Sequence, residues 1–108
     1  MGAKVIPFEL VRQKPTPTLR ELTDRIHRLA KEDPDCITYS VHLQDRMRQR
    51  GKTMRDVLET LKKGEGVKNP EVDAYGDFRI KLKRCVSGKR VQVVVAVRDK
   101  DLSVVTVI

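Results

Sequence analysis

The chain reads as an α+β domain, with N-terminal helices packed on a roughly four-stranded antiparallel meander. Three observations predict it. Apolar residues recur at helical spacing before Gly66 and at every second position after it. The alternating segments are joined by turns of a few residues, which forces successive strands to run antiparallel. Helices come first and strands later, which places the helices on one face of the sheet. The 108 residues suffice for one modest core and not for two.

Residues 1–17 carry Pro7, Pro15 and Pro17 and little periodicity. An extended arm is expected there, because each proline biases its predecessor away from helix. "VIPFELV" within it suits a short edge strand or a packed segment. The domain proper is expected over 18–108. Thr18 is an N-cap and Glu21, three residues on, completes a capping box. Leu19, Leu22, Ile26 and Leu29 then form the apolar stripe of a first helix, which Pro34 ends. His27 lies beside that stripe and reads as a boundary histidine with no chemical role.

A second helix is expected to begin near Ser40, a good cap, and to end at Gly51. Val41, Leu43 and Met47 are its apolar side, with Met47 in the core. Thr53 caps a third helix whose buried face is Met54, Val57, Leu58 and Leu61, with Gly64 at its end. A strand within Val67–Val72 is weakened by Pro70. "DFRIKLKRCV" sets Phe78, Ile80 and Leu82 on one face and Arg79, Lys81 and Lys83 on the other. Ser87 to Lys89 is a turn. "RVQVVVAVR" is almost continuously apolar and is expected to be a central strand. Asp99 to Asp101 turns the chain into a last strand, "LSVVTVI".

The net charge is +8 and the pI is about 9.8. Such a balance points to nucleic acid, an acidic protein or an anionic surface as partner. Cys36 and Cys85 follow no metal-ligand spacing and are expected as reduced thiols. No metal or cofactor is expected. No apolar run reaches the roughly 18 residues of a membrane span, and the N-terminus lacks an apolar signal core. A cytoplasmic protein with no membrane contact is therefore expected.

His42, Arg46 and Arg50 stand at i, i+4 and i+8, stacked along one helix face. Like charges so placed are mildly destabilising, so the face asks for an anionic partner. The strand residues Arg79, Lys81 and Lys83, with Arg84 and Arg98 near strand ends, extend the basic surface. Such a surface suits a phosphodiester. Lys and Arg hold phosphates, an arginine fork grips two phosphate oxygens, and histidine exchanges a proton near neutral pH. Metal-independent RNA cleavage needs little more, since the 2′-hydroxyl of the substrate is the nucleophile. The plainer alternative is a solvated helix face, with Asp56 and Glu59 of the third helix meeting the arginines. The aromatics Phe8, Tyr39, Tyr75 and Phe78 are too few for a base-stacking platform, though Tyr39 and Tyr75 are candidates for proton transfer or stacking. A helix-turn-helix is disfavoured because the first helix of the pair is the more basic.

"ITYSVHLQDRMRQRGKTMRDVLETLKKG", followed by a strand meander ending in "LSVVTVI", resembles a small bacterial and phage domain family of unknown function. The pattern falls on His42, Arg46, Met47, Arg50, Gly51, Gly64 and Thr106. That family is similar to RelE-type toxins and the wider barnase–EndoU–colicin–RelE ribonuclease group. The resemblance implies a RelE/barnase-like architecture and a metal-independent endoribonuclease, commonly a toxin held by an antitoxin. It implies His42 as general acid or base, Arg46 and Arg50 as phosphate neutralisers, and Thr106 as a positioning hydroxyl. Arg79, Lys81, Lys83 and Arg84 would hold flanking phosphates. The expected partners are RNA, free or on the ribosome, and an antitoxin protein. The alternatives are a non-catalytic basic module binding nucleic acid or an acidic protein, and a domain whose helices pair with a second copy of the chain.

Overall fold

The computed structural model describes residues 17–98 and 100–108, so nearly all of the arm expected at 1–17, with its "VIPFELV" segment, lies outside the described residues. Within the described residues the architecture is α+β: three α-helices and a six-stranded sheet. Helix α1 spans Leu19–Glu32, α2 Leu43–Arg50 and α3 Met54–Lys63. The strands are β1 Ile37–Tyr39, β2 Glu65–Gly66, β3 Glu71–Val72, β4 Phe78–Val86, β5 Lys89–Val97 and β6 Leu102–Val107. The order across the sheet is β1-β6-β5-β4-β2, with β3 also on β4.

The three long strands form the expected antiparallel meander, and β5 is central. The four-stranded, wholly antiparallel sheet needs correction. Ile37–Tyr39 adds a parallel strand beyond β6, with Ile37 opposite Leu102 and Tyr39 opposite Val104. The segment 67–72 is not one strand. Pro70 interrupts it, and two short pieces at Glu65–Gly66 and Glu71–Val72 pair with β4 instead. The Ser87-Gly88 turn between β4 and β5 has φ of 52° and 79°, the left-handed pair that fits a tight hairpin.

The core lies between the helices and one face of the sheet. Leu22, Ile26 and Ala30 of α1 and Val57 and Leu61 of α3 meet Ile80, Leu82, Val91, Val93 and Val95. Alternation along β4 puts Arg79, Lys81 and Lys83 on the other face. Thr18 caps α1 through the Glu21 amide, as expected. His27 is half-buried and its Nε2 lies 2.7 Å from the Gly64 carbonyl, which makes that nitrogen the donor. Gly66 runs directly beneath α1, where an added Cβ would sit 2.7 Å from Leu19 Cδ1.

Helix α2 does not start at Ser40. It starts at Leu43, with His42 in the cap position and no capping side-chain bond. The Ser40 hydroxyl donates instead to the Val105 carbonyl at 2.7 Å, and the Ser40 amide donates to Val104 O at 3.0 Å. Ser40 thus fastens the helix entry to the sheet. Gly51, at φ 65°, ends α2 in the left-handed conformation, and Lys52 N–H returns to Met47 O at 2.8 Å.

Thr53 and Asp56 form a full capping box at α3, and the buried Asp56 carboxylate also accepts from Lys89 Nζ at 2.9 Å. Asp56 is therefore not a partner for the α2 arginines. The Thr53 amide, foremost, and then Lys89 hold its carboxyl below the usual carboxylate range, although burial opposes them. A depressed folded-state value adds stability that is complete above the unfolded carboxylate range, about pH 4. That stability drains as pH falls through the folded value. Asp56→Ala is expected to cost about 1–2 kcal/mol at pH 7. Denaturant melts should show the gap to the unsubstituted protein closing below about pH 4. A gap independent of pH would count against this role.

Candidate functional site

Helix α2 lies against the end of β6. Leu43 is fully buried and Met47 nearly so, and they fix the inner side of the helix. At about 100° per residue, the side chains at 45, 49, 42 and 46 then span a continuous outward arc of about 100°. Strand β1 stops opposite Val104, so beyond that point the outer edge of β6 faces the helix instead of a strand. A cleft of about 520 Å³ results, lined by His42, Asp45, Arg46 and Gln49 from α2 and by Val105 and Thr106 from β6.

A bulge shapes the strand side of the cleft. Val95 pairs with Val104 and Val94 with Thr106, so Val105 is an extra residue in β6. Its carbonyl, freed from the ladder, is the one that Ser40 Oγ caps. The shift places Thr106 directly across from Val94, which in turn faces Lys81 of β4. Thr106 is thus shared by the cleft and by a row that crosses the helix-free face of the sheet. Its own hydroxyl donates one long hydrogen bond, 3.4 Å to the Val107 carbonyl.

The structure therefore brings together three of the four residues expected to act at the centre: His42, Arg46 and Thr106. Arg50 is exposed on the last turn of α2 and does not line the cleft. It follows His42 by eight residues and falls about 80° round the helix from it.

The expected phosphate-holding residues divide. Lys81 and Lys83 stand on the helix-free face, in line with Arg79. Among the described residues, neither lysine has a carboxylate oxygen within 4.0 Å, whereas Arg79 Nε is held by Asp73 at 3.2 Å. Burial pushes the Asp73 carboxyl up, but the Asp77 and Tyr75 amides and Arg79 outweigh it and leave it lowered. Arg84 pairs across from the core residue Val91, so it lies on the helix side of the sheet, and it lines a recess with Arg55 and Glu59. Arg98 is bonded to both Asp77 and Asp101 at 3.1 Å and adds no unpaired charge to the surface.

Arg90, opposite Cys85, and Gln92, opposite Lys83, join the helix-free face from β5. Lys68 borders a smaller recess there with Arg79, Lys81 and Val94. Tyr75 is 88% exposed on the β3–β4 turn, and Tyr39, its phenol raised by burial, ends β1. Neither lines the cleft. Asp45 and Gln49 do not stand out in the sequence. A signal for them exists, since both share the helical arc of His42 and Arg46. Among the described residues, no group of three or more His, Cys, Asp or Glu side chains is placed to hold a metal ion. No described helix is long and apolar enough to cross a membrane.

The model of the family described as Domain of unknown function (DUF4258) matches residues 39–108. That span is more than half of the chain and contains every residue lining the cleft. No curated protein and no solved structure matches.

Proposed function

We propose that this chain, which belongs to the DUF4258 family of domains of unknown function, is a metal-independent endoribonuclease that cleaves RNA by 2′-hydroxyl transesterification. One observation carries the reading. His42 and Arg46 from α2 and Thr106 from β6, far apart in sequence, line a single cleft of about 520 Å³. Seated there, a phosphodiester meets a guanidinium, a hydroxyl and an imidazole. Arg46 neutralises the non-bridging oxygens as charge builds on them. Thr106 Oγ donates a positioning hydrogen bond. His42 exchanges a proton with a reacting oxygen. The 2′-oxygen attacks phosphorus, the 5′-oxygen leaves, and the products end in a 2′,3′-cyclic phosphate and a 5′-hydroxyl. Lys81 and Lys83 receive flanking phosphates, with Arg79 in support. The RelE/barnase-like architecture and an antitoxin partner belong to the same proposal and rest on resemblance, and a cytoplasmic location belongs to it on the cysteine usage and the lack of an apolar span in the sequence.

The test is incubation of the full chain with mixed-sequence short RNA in EDTA, beside the same sequence as DNA. Cyclic-phosphate ends from RNA alone are expected, since DNA lacks the nucleophile. Lys81 and Lys83, without carboxylate partners among the described residues, favour a second reading, a module that binds nucleic acid without cutting it. RNA retained but intact would select that reading and end the nuclease proposal for free RNA.

A further inference from the structure

Transesterification moves two protons. One leaves the 2′-hydroxyl and one arrives at the departing 5′-oxygen, on opposite sides of the phosphorus. A single imidazole serves one of them at a time. The cleft contains a second proton carrier, Asp45. It is three residues after His42, so on the helix its Cβ is about 5–6 Å from that of His42. Both side chains line the cleft. On the helical arc, His42 stands between Asp45 and Arg46.

Among the described residues the Asp45 carboxylate has one cationic neighbour, and the pairing is weak. Arg48 Nη2 approaches Oδ1 at 3.4 Å, with the two side chains 78% and 66% exposed. Such a pair contributes little to stability and does not explain a carboxylate in a cleft suited to phosphate. For binding alone, Asp45 is a liability, because it repels the ligand's charge. Its presence makes chemical sense if it works on the substrate.

We propose that Asp45 is the base of this cleft, taking the 2′-hydroxyl proton while the His42 imidazolium gives one to the 5′-oxygen. This rests on the nuclease reading above. The O2′–H bond breaks and its proton passes to an Asp45 carboxylate oxygen. The O2′–P bond forms. The P–O5′ bond breaks, its electron pair goes to the 5′-oxygen, and that oxygen takes the proton from the imidazolium. The cycle ends with Asp45 protonated and His42 neutral, and solvent resets both, since both are exposed. The charged groups facing this pair are few. Arg46 and Arg48 stand on the same helix, Arg48 in the weak contact with Asp45, and β6 contributes the uncharged Val105 and Thr106.

The experiment is steady-state cleavage of the same RNA in EDTA by the unsubstituted chain, Asp45→Asn and Arg48→Ala, each checked for an unchanged melting temperature. Asp45→Asn is expected to lose about 100-fold or more in kcat. Its KM should be equal or lower, because a repulsive charge has gone. The acid limb of its pH–rate profile should disappear. Arg48→Ala should cleave normally. Equal losses in Asp45→Asn and Arg48→Ala would mark a structural pair and overturn the proposal. So would a fully active Asp45→Asn, and in that case the nuclease reading survives. Absence of cleavage by the unsubstituted chain removes both readings together.

Discussion

His42→Ala is expected to lower RNA cleavage by about 10²–10⁴-fold, the usual contribution of a proton-transferring side chain. RNA affinity should change less than cleavage, because under the proposed function most of the charge that holds phosphate comes from Arg46 and the sheet lysines. The fold should also be indifferent. His42 is exposed, and although it occupies the cap position of α2 its side chain caps nothing. This separates it from Arg46→Ala, which removes both grip and transition-state charge and so should weaken binding as well as cleavage. The measurement is paired: single-turnover cleavage and filter retention of the same RNA over a salt series. Removing a guanidinium that neutralises a phosphate flattens the salt dependence, so Arg46→Ala should lower the slope more than His42→Ala does. If His42→Ala cut RNA at the unsubstituted rate, the cleft would be a grip and not a catalytic site.

Leu43→Ala is expected to destabilise the protein by about 2–5 kcal/mol, the cost of emptying a fully buried leucine site. For a domain of this size that lowers the melting temperature by roughly 10 °C or more. Val41→Ala, two residues earlier, should cost less than about 0.5 kcal/mol, because Val41 is 89% exposed. The contrast bears on the site as well as on stability. Leu43 and Met47 are what press α2 against β6 and so set the distance from His42 and Arg46 to Thr106. Thermal melts of the two variants check the first statement. Residual RNA cleavage by Leu43→Ala, measured well below its melting temperature, checks the second, and it should fall even where the protein is still folded.

The period change at Gly66 makes the helices and the long strands readable, and the caps at Thr18 and Thr53 mark where two helices start. The parallel strand β1 is not readable. It has three residues, too few for alternation to register, and its partner begins 65 positions later. Ser40 misleads for a related reason. A serine before an apolar run is a good cap in isolation, but here its hydroxyl finds a bulge carbonyl that exists only once the sheet has formed. His42, Arg46 and Thr106 are legible as chemistry, and their convergence is not, because it depends on β6 lying beside α2. Local spacing also hides competition between partners. Arg79 looks equivalent to Lys81 along the strand, yet Asp73 from the preceding turn already holds it. Arg84 is decidable from alternation alone, since it follows Lys83 by one residue and must take the other face.

Strand β6 is the piece through which β1 joins the rest of the sheet, since β1 pairs with β6 and β6 with β5. During synthesis β1 and α2 emerge long before β6 and lack the strand on which they dock. The two sides of that pairing are separated by most of the domain, so closure is slow and late by the ordinary entropy of long loops. The hairpin of β4 and β5 can close earlier on local pairing. A nascent chain therefore carries His42 and Arg46 on an unanchored helix until Val104, Val105 and Thr106 have been added. The cleft that His42, Arg46 and Thr106 share is then assembled only after β6 has been made, so under the proposed nuclease function a chain that stops short of β6 has no site with which to cut RNA.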